Sequence, residues 1–391
     1  MRRFLLILAV IAVGSLGVVT AATAAGGKDG SASSAAPALL VPDASVAYQP
    51  AAGAADVNPA SPVSATVEDG TFEQVSLTDA DGKPVSGALN AEKTAWTASE
   101  PLGYGTDYAW TGVTSGGDGV QVPVQGGFRT VTPSKAVRGV INIGDGRTVG
   151  VAAPIEIQFN SHVEDRAAVE QALRVRTSTP VEGAWGWLPA ENGGSRVHWR
   201  PKEYWPANTD VTVTAKLYGL AYGGGEYGAA DVDSTFRIGR AQIVKADARS
   251  FQMVVERDGK QVASYPASYG LASDPNRNTR SGVHIVTEKF TDKRMISAQY
   301  GYDVVEKWAV RMSNNGEFIH ANPASTGAQG SSNVTHGCVN LSIDNAKAYY
   351  DTALYGDPVE VTGTPVQLSS KDGDVWDWTL SWDKWRRLSA L

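Results

Sequence analysis

The pattern of apolar and polar positions from Pro42 to about Arg240 is that of a β-protein. Strict alternation runs through Pro62-Val63-Ser64-Ala65-Thr66-Val67 and again through Pro154-Ile155-Glu156-Ile157-Gln158-Phe159. Short β-rich runs are broken by Gly, Asn and Asp turns, and helical periodicity is scarce. Asp79-Ala80-Asp81-Gly82-Lys83 separates two such runs and predicts a hairpin. A weak repeat spans the region. Trp96, Glu100, Thr106 and Asp107 recur at the same spacing as Trp199, Glu203, Thr209 and Asp210, and each copy ends in Phe-Arg, at Phe128-Arg129 and Phe236-Arg237. The second copy carries an insertion of helical composition, Glu164 to Leu173. Two tandem β-sandwich modules of about a hundred residues fit this pattern; one larger β-domain is the alternative.

From Ala241 the pattern continues as strands but gains a helix. Phe251 to Lys260 reads as strand and tight turn, and Gln261 to Ser268 as the return strand. Further strands are expected at Gly282 to Thr287, Glu317 to His320 and Asp357 to Thr362. A helix is expected from Ile343 to about Leu354, with Ser342 as N-cap and Gly356 as its C-terminal stop. The tail, Asp372 to Leu391, holds Trp376, Trp378, Trp382 and Trp385 among charges. It is expected to strap aromatic side chains onto the body that precedes it; a carbohydrate-stacking platform is the alternative.

The N-terminus breaks the β-pattern. Arg2 and Arg3 precede an apolar run, Phe4 to Val19, and Ala22-Thr23-Ala24 is a small-x-small cleavage site. The segment reads as an export signal or an uncleaved membrane anchor. No cysteine follows the run, so lipid modification there is excluded. Ala25 to Ala36 has the composition of a flexible linker. The organisation expected is signal or anchor 1–24, linker 25–40, β-modules 41–132 and 133–240, a third unit 241–363 and the Trp-rich tail 364–391.

The chain of 391 residues has a net charge of −7, and loss of Arg2 and Arg3 with the signal leaves 32 basic against 41 acidic residues, a net of −9. That balance argues against nucleic acid as a partner and supplies no polybasic membrane patch. The single cysteine, Cys338, leaves no internal disulfide to stabilise an exported chain.

Cys338 sits in Thr335-His336-Gly337-Cys338-Val339-Asn340, with His320 eighteen residues upstream. A catalytic thiol needs a base, exposure and donors aimed at a developing oxyanion. This segment can offer all three. A histidine can take the proton, Gly337 uncovers the backbone, and Asn340 can hold a neighbouring group. His336 shares a face with Cys338 if the segment is extended, whereas His320 could reach the thiol across paired strands. An inert buried thiol is one alternative. A zinc site made of His320, His336 and Cys338 is another, although no acidic residue stands at a familiar ligand spacing. The chain shows no nucleotide-binding glycine motif, and no cofactor is expected.

His320 together with Thr335-His336-Gly337-Cys338-Val339-Asn340 resembles the signature of the bacterial L,D-transpeptidases with a YkuD-type catalytic fold, over about Arg240 to Leu391. Two preceding immunoglobulin-like modules, the turn Gly223-Gly224-Gly225-Glu226-Tyr227-Gly228 and the ending Trp378-Thr379-Leu380-Ser381-Trp382-Asp383-Lys384-Trp385 resemble mycobacterial-type members. The implied fold is mainly β: two tandem immunoglobulin-like sandwiches, then a β-rich catalytic domain with a short helix and a Trp-rich strap. The resemblance implies Cys338 as nucleophile, His320 as base, and His336, Gly337 and Cys338 around the oxyanion. It places Tyr302 and Met295 on a substrate lid, with Ala321, Thr335 and Asn340 beside the substrate. It implies peptidoglycan stem peptides as donor and acceptor, a thioester intermediate, 3→3 cross-links, no metal, and carbapenem β-lactams as covalent inhibitors. An L,D-carboxypeptidase or a wall-binding scaffold with weak catalysis are the alternatives. Two departures stand out. Ala321 replaces the serine that often follows the base histidine, and the segment between Tyr300 and Tyr302 is short, which implies a smaller, more open lid.

Overall fold

The computed structural model describes residues 43–117, 119–372 and 375–391. The expected signal or anchor (1–24) and linker (25–40) lie outside the described residues.

Two immunoglobulin-like β-sandwiches come first. In the first, strands Ser45–Gln49, Ser64–Glu68, Ala95–Ala98 and Gly87–Leu89 form one sheet, and Gly70–Asp79, Asp107–Gly116 and Gln121–Arg129 form the other. The alternation read at residues 62–67 places Val63, Ala65 and Val67 inside, against Phe72, Trp96, Trp110 and Phe128. In the second, Gly183–Glu191, Gly194–Pro201, Ile155–Phe159 and Gly139–Ile141 face Thr148–Val149, Val232–Ile238, Asp210–Ala215 and Leu173–Thr177. The helical insertion is the helix Arg166–Gln171, capped by Asp165.

The weak repeat has a packing cause. Trp96 and Trp199 each lie beneath a glycine of the neighbouring strand. A Cβ on Gly87 would come within 2.1 Å of the Trp96 ring, and one on Gly183 within 2.0 Å of the Trp199 ring. The repeated acid and the terminal arginine also pair in both copies, Asp107 with Arg129 and Asp210 with Arg237.

The turn at Asp79–Lys83 forms, with the Asp79 carboxylate accepting from the amides of Asp81 and Lys83. The hairpin expected there is short, with the Asp79 N–H donating to the Lys83 carbonyl and the Val85 N–H to the Leu77 carbonyl. After one bridge, Thr78 to Pro84, the chain crosses to the opposite sheet and Gly87–Leu89 pairs with Ala95–Ala98. An Asx turn reverses the chain whichever sheet receives the next strand.

The third unit has a five-stranded sheet, in the order Lys260–Pro266, Gln252–Arg257, Gln242–Asp247, Pro358–Thr362, Gly282–Ile285. A four-stranded sheet runs Glu288–Ser297, Tyr302–Arg311, Phe318–Ala321, Val339–Leu341. The helix Ile343–Thr352, capped by the Ser342 hydroxyl, packs on the second sheet and buries Ala346 and Tyr349. Arg240 makes a two-pronged ion pair with buried Asp357 at 2.6 and 2.7 Å, joining the end of the second sandwich to this unit.

The tail extends an expectation. It touches the third unit, where the turn Asp377–Thr379 packs on the strand Gly282–Ile285 and Trp376 borders a pocket with Thr287 and Met312, but Trp378, Trp382 and Trp385 also dock on the second sandwich. Trp378 Nε1–H donates to the Ala152 carbonyl and Trp385 Nε1–H to the Ala184 carbonyl, both at 2.9 Å. The Arg200 guanidinium lies 4.6, 5.4 and 5.0 Å from the centres of the Trp378, Trp382 and Trp385 rings. Beside them, fully buried His198 and Asp377 meet at 3.0 Å. The sandwich supplies what an indole needs when buried, a carbonyl for its N–H and a cation for its face.

Candidate active site

Strand register brings the motif together. Phe318–Ala321 and Val339–Leu341 pair in parallel, with His320 opposite Asn340. Side chains two apart on a strand share a face, so Cys338, Asn340 and His320 point to the same side. Gly337 breaks the extension just before Cys338. Its φ of +119° lies where glycine alone is comfortable, and it turns His336 out of line with the thiol. His336 packs instead on Tyr300 and Tyr302, with ring centres 4.6 and 5.4 Å away.

The resulting cleft has a volume of about 320 Å³ and is lined by Met295, Tyr302, His320, Thr335, His336, Cys338 and Asn340 among others. Gly337 and Ala321 stand behind this lining. Met295 and Tyr302 reach it from the two long strands Glu288–Ser297 and Tyr302–Arg311, whose tip carries Tyr300. Thr335 braces the nucleophile's own main chain, its hydroxyl donating to the Cys338 carbonyl at 2.8 Å. Arg277 holds the preceding turn through the carbonyls of Val334 and Thr335, at 2.6 and 3.1 Å.

His320 is fixed as one tautomer. Its Nδ1 lies 2.9 Å from the Ala321 carbonyl oxygen, which can only accept, so Nδ1 carries the proton and Nε2 is left for the thiol. Burial works to lower the His320 pKa. A hydrogen bond with Cys338 and the nearby Glu306 carboxylate outweigh it, and the pKa is pushed up to about 10. Cys338 Sγ also lies 3.6 Å from the Gly316 carbonyl. His336 goes the other way. Burial, and then the Arg277 charge, lower its pKa against the pull of Asp274, so it is neutral at neutral pH. Among the described residues no cluster of three His, Cys, Asp or Glu side chains is arranged to hold a metal ion.

The geometry thus joins a partly exposed thiol, a basic imidazole and a lidded cleft. The L,D-transpeptidase catalytic domain model (YkuD) matches residues 241–361, and the bacterial Ig domain model matches residues 54–221. L,D-transpeptidase 5 of Mycobacterium tuberculosis is 54% identical over 351 residues, covering 90% of this chain and 78% of that protein. The chain belongs to the L,D-transpeptidase family. L,D-transpeptidase 2 of the same species is 36% identical, covering 86% of this chain and 83% of that protein. A solved structure of an LD transpeptidase in complex with imipenem is 32% identical, covers 59% of this chain and 100% of its own, and aligns with a TM-score of 0.49.

One residue of this L,D-transpeptidase site is not marked by the motif. Glu306 lines the cleft and sits 3.6 Å from His320 Nδ1. The alternation puts Glu306 on one strand face with Tyr302 and Val304, but does not by itself mark that face as inward.

Proposed function

We propose that this chain cross-links peptidoglycan stem peptides by two acyl transfers through Cys338. The observation that carries the reading is the convergence of Cys338 and a basic, tautomerically fixed His320 on one cleft. The thiol proton passes to His320 Nε2, and Sγ adds to the carbonyl of the third residue of a tetrapeptide stem. The C–N bond to the terminal D-Ala breaks, the imidazolium protonates the leaving amine, and a thioester remains. The side-chain amine of a second stem then attacks the thioester carbonyl. It gives up a proton to His320, and the thiolate leaves. The product is a 3→3 isopeptide link. Backbone N–H groups of the turn at His336, Gly337 and Cys338 are the oxyanion donors in this reading, because the glycine leaves that turn uncovered.

Met295 and Tyr302 line the donor cleft, and Thr335 and Asn340 shape its floor. The same thiolate acylates with carbapenem β-lactams: Sγ adds to the lactam carbonyl, the ring C–N bond opens, and the ring nitrogen takes the proton. The reading places the chain outside the cytoplasm, exported or anchored by its N-terminal segment, where such stems are found.

The test is mass spectrometry of the purified protein with a disaccharide-tetrapeptide, beside Cys338→Ala. A dimer and a transient adduct on the native protein alone support transpeptidation. Tripeptide without dimer moves the activity to L,D-carboxypeptidase, with water as acceptor. No turnover by either protein leaves a wall-binding scaffold.

A further inference from the structure

Glu306 sits on the strand Tyr302–Arg311, on the face that carries Tyr302 and Val304 into the cleft. Its Oε2 is 3.6 Å from His320 Nδ1; the carboxylate side chain is 16% exposed and the imidazole 4%. That distance is long for a hydrogen bond but short for a charge interaction in a desolvated site. The division of labour is plain. The Ala321 carbonyl fixes the tautomer at 2.9 Å, and Glu306 supplies a negative charge on the same edge of the ring.

No other basic group among the described residues pairs with Glu306. Lys293 stands opposite it in the strand register, but its ammonium lies over the Phe290 and Phe318 rings, 4.2 and 5.9 Å from their centres. On the other elements around His320, the titratable groups in the cleft are Cys338, Tyr302 and His336. The helix Ile343–Thr352 also packs on this strand, and its Lys347 is occupied by Asp351 and held over the Trp308 ring.

We propose that Glu306 is a positioning residue that stabilises the His320 imidazolium, making the site a Cys338–His320–Glu306 triad. The inference rests on the reading of Cys338 as the nucleophile. The chemistry balances without Glu306 exchanging a proton. The thiol proton moves from Sγ to Nε2, and the carboxylate takes no part in the transfer. The resulting imidazolium then lies between two anions, the thiolate at Nε2 and the carboxylate beside Nδ1. Desolvation alone works against such a cation, and the high proton affinity of His320 is traced to those two neighbours together. The arrangement parallels the acid of other nucleophile–histidine sites, which orients the ring and stabilises its charged form without being protonated.

The test is the pH profile of Cys338 alkylation by iodoacetamide in the native protein, Glu306→Gln and Glu306→Asp, with Cys338→Ala as the blank. In Glu306→Gln the neutral-pH rate falls about tenfold and the rise in rate moves about one unit to higher pH. Glu306→Asp, which keeps the charge on a shorter arm, falls between. A structural role alone would lower thermal stability and leave the profile where it was. Superimposable profiles for native and Gln proteins overturn the proposal. If the Gln variant loses its near-ultraviolet dichroism, the Asp variant decides, and a native profile there overturns it. Tetrapeptide turnover by the native protein is read separately. Its absence would remove the transpeptidase reading, whereas the alkylation profile still judges Glu306.

Discussion

His320 is held by the main chain of its own neighbour: Nδ1–H donates to the Ala321 carbonyl oxygen at 2.9 Å. The Ala321 methyl points to the other side of the strand, into the core with Ile319, Val339 and Leu341. The serine that often occupies this position in the family is therefore not needed for its hydroxyl here. Any residue with a carbonyl in that place orients the ring.

Ala321→Ser should accordingly leave carbapenem acylation within about twofold of native. It should cost about 1 kcal/mol of stability, because a hydroxyl is placed among apolar side chains. Acylation kinetics and denaturant unfolding check the two halves. A tenfold gain in acylation would show that orientation by the carbonyl is incomplete.

The raised proton affinity of His320 has a consequence for stability. The folded-state pKa of about 10 lies above the unfolded value of about 6.5. A group raised in this way binds its proton more tightly when folded. Its contribution is complete below about pH 6.5 and is lost as pH rises through about 10. For so buried a group the contribution is on the order of a few kcal/mol. The gap in unfolding free energy between native protein and His320→Asn should narrow from neutral pH to about pH 10. A gap that stays constant over that window would remove the linkage.

Gly337 separates conformational strain from crowding. A Cβ there would meet nothing nearer than the Asn278 carbonyl oxygen at 3.5 Å, so there is room for a methyl group. The φ of +119° is the obstacle. Gly337→Ala should cost about 1–3 kcal/mol or rotate the turn. Rotation would misplace the amides beside Cys338 and lower acylation about a hundredfold. Native acylation rates in that variant would mean that the turn does not set the oxyanion donors.

The legible parts of this protein are those whose cause is local. Residues 335–340 carry their chemistry in one contiguous run, and the cap Ser342 marks the start of its helix, whereas the helix ends at Thr352 on an extended Ala353 rather than at Gly356. The strand Tyr302–Arg311 shows where local reading ends. Its two faces, Tyr302-Val304-Glu306 and Asp303-Val305-Lys307, are about equally mixed, so a two-residue period does not say which is inward. Only pairing with Glu288–Ser297 and Phe318–Ala321 turns Glu306 toward His320. Asp79–Lys83 is legible as a turn that closes a short hairpin, but turn chemistry is blind to the destination of the next strand. The tail tryptophans announced burial but not a partner, and Ala184, which receives Trp385, lies 201 residues away.

That partner gives the tail a predicted role. Trp385 is fully buried, and its indole N–H is satisfied by the Ala184 carbonyl. Trp385→Ala would open a cavity, orphan that carbonyl and take one of three rings from the Arg200 guanidinium. That guanidinium is already desolvated enough for its pKa to fall to about 10 despite the Asp377 charge. Truncating a buried tryptophan costs about 3–5 kcal/mol. The loss should fall on the second sandwich, because Ala152, Ala184, His198 and Arg200 all belong to it. Thermal unfolding should show an earlier transition, while acylation of the still-folded protein at low temperature stays within about twofold of native. The reverse result, native unfolding with impaired acylation, would mean that the tail acts on the cleft rather than on the sandwich. Asp377→Asn offers an independent check. It removes the charge facing buried His198 while keeping the aromatic packing, so it should destabilise the same transition and leave Cys338 chemistry alone.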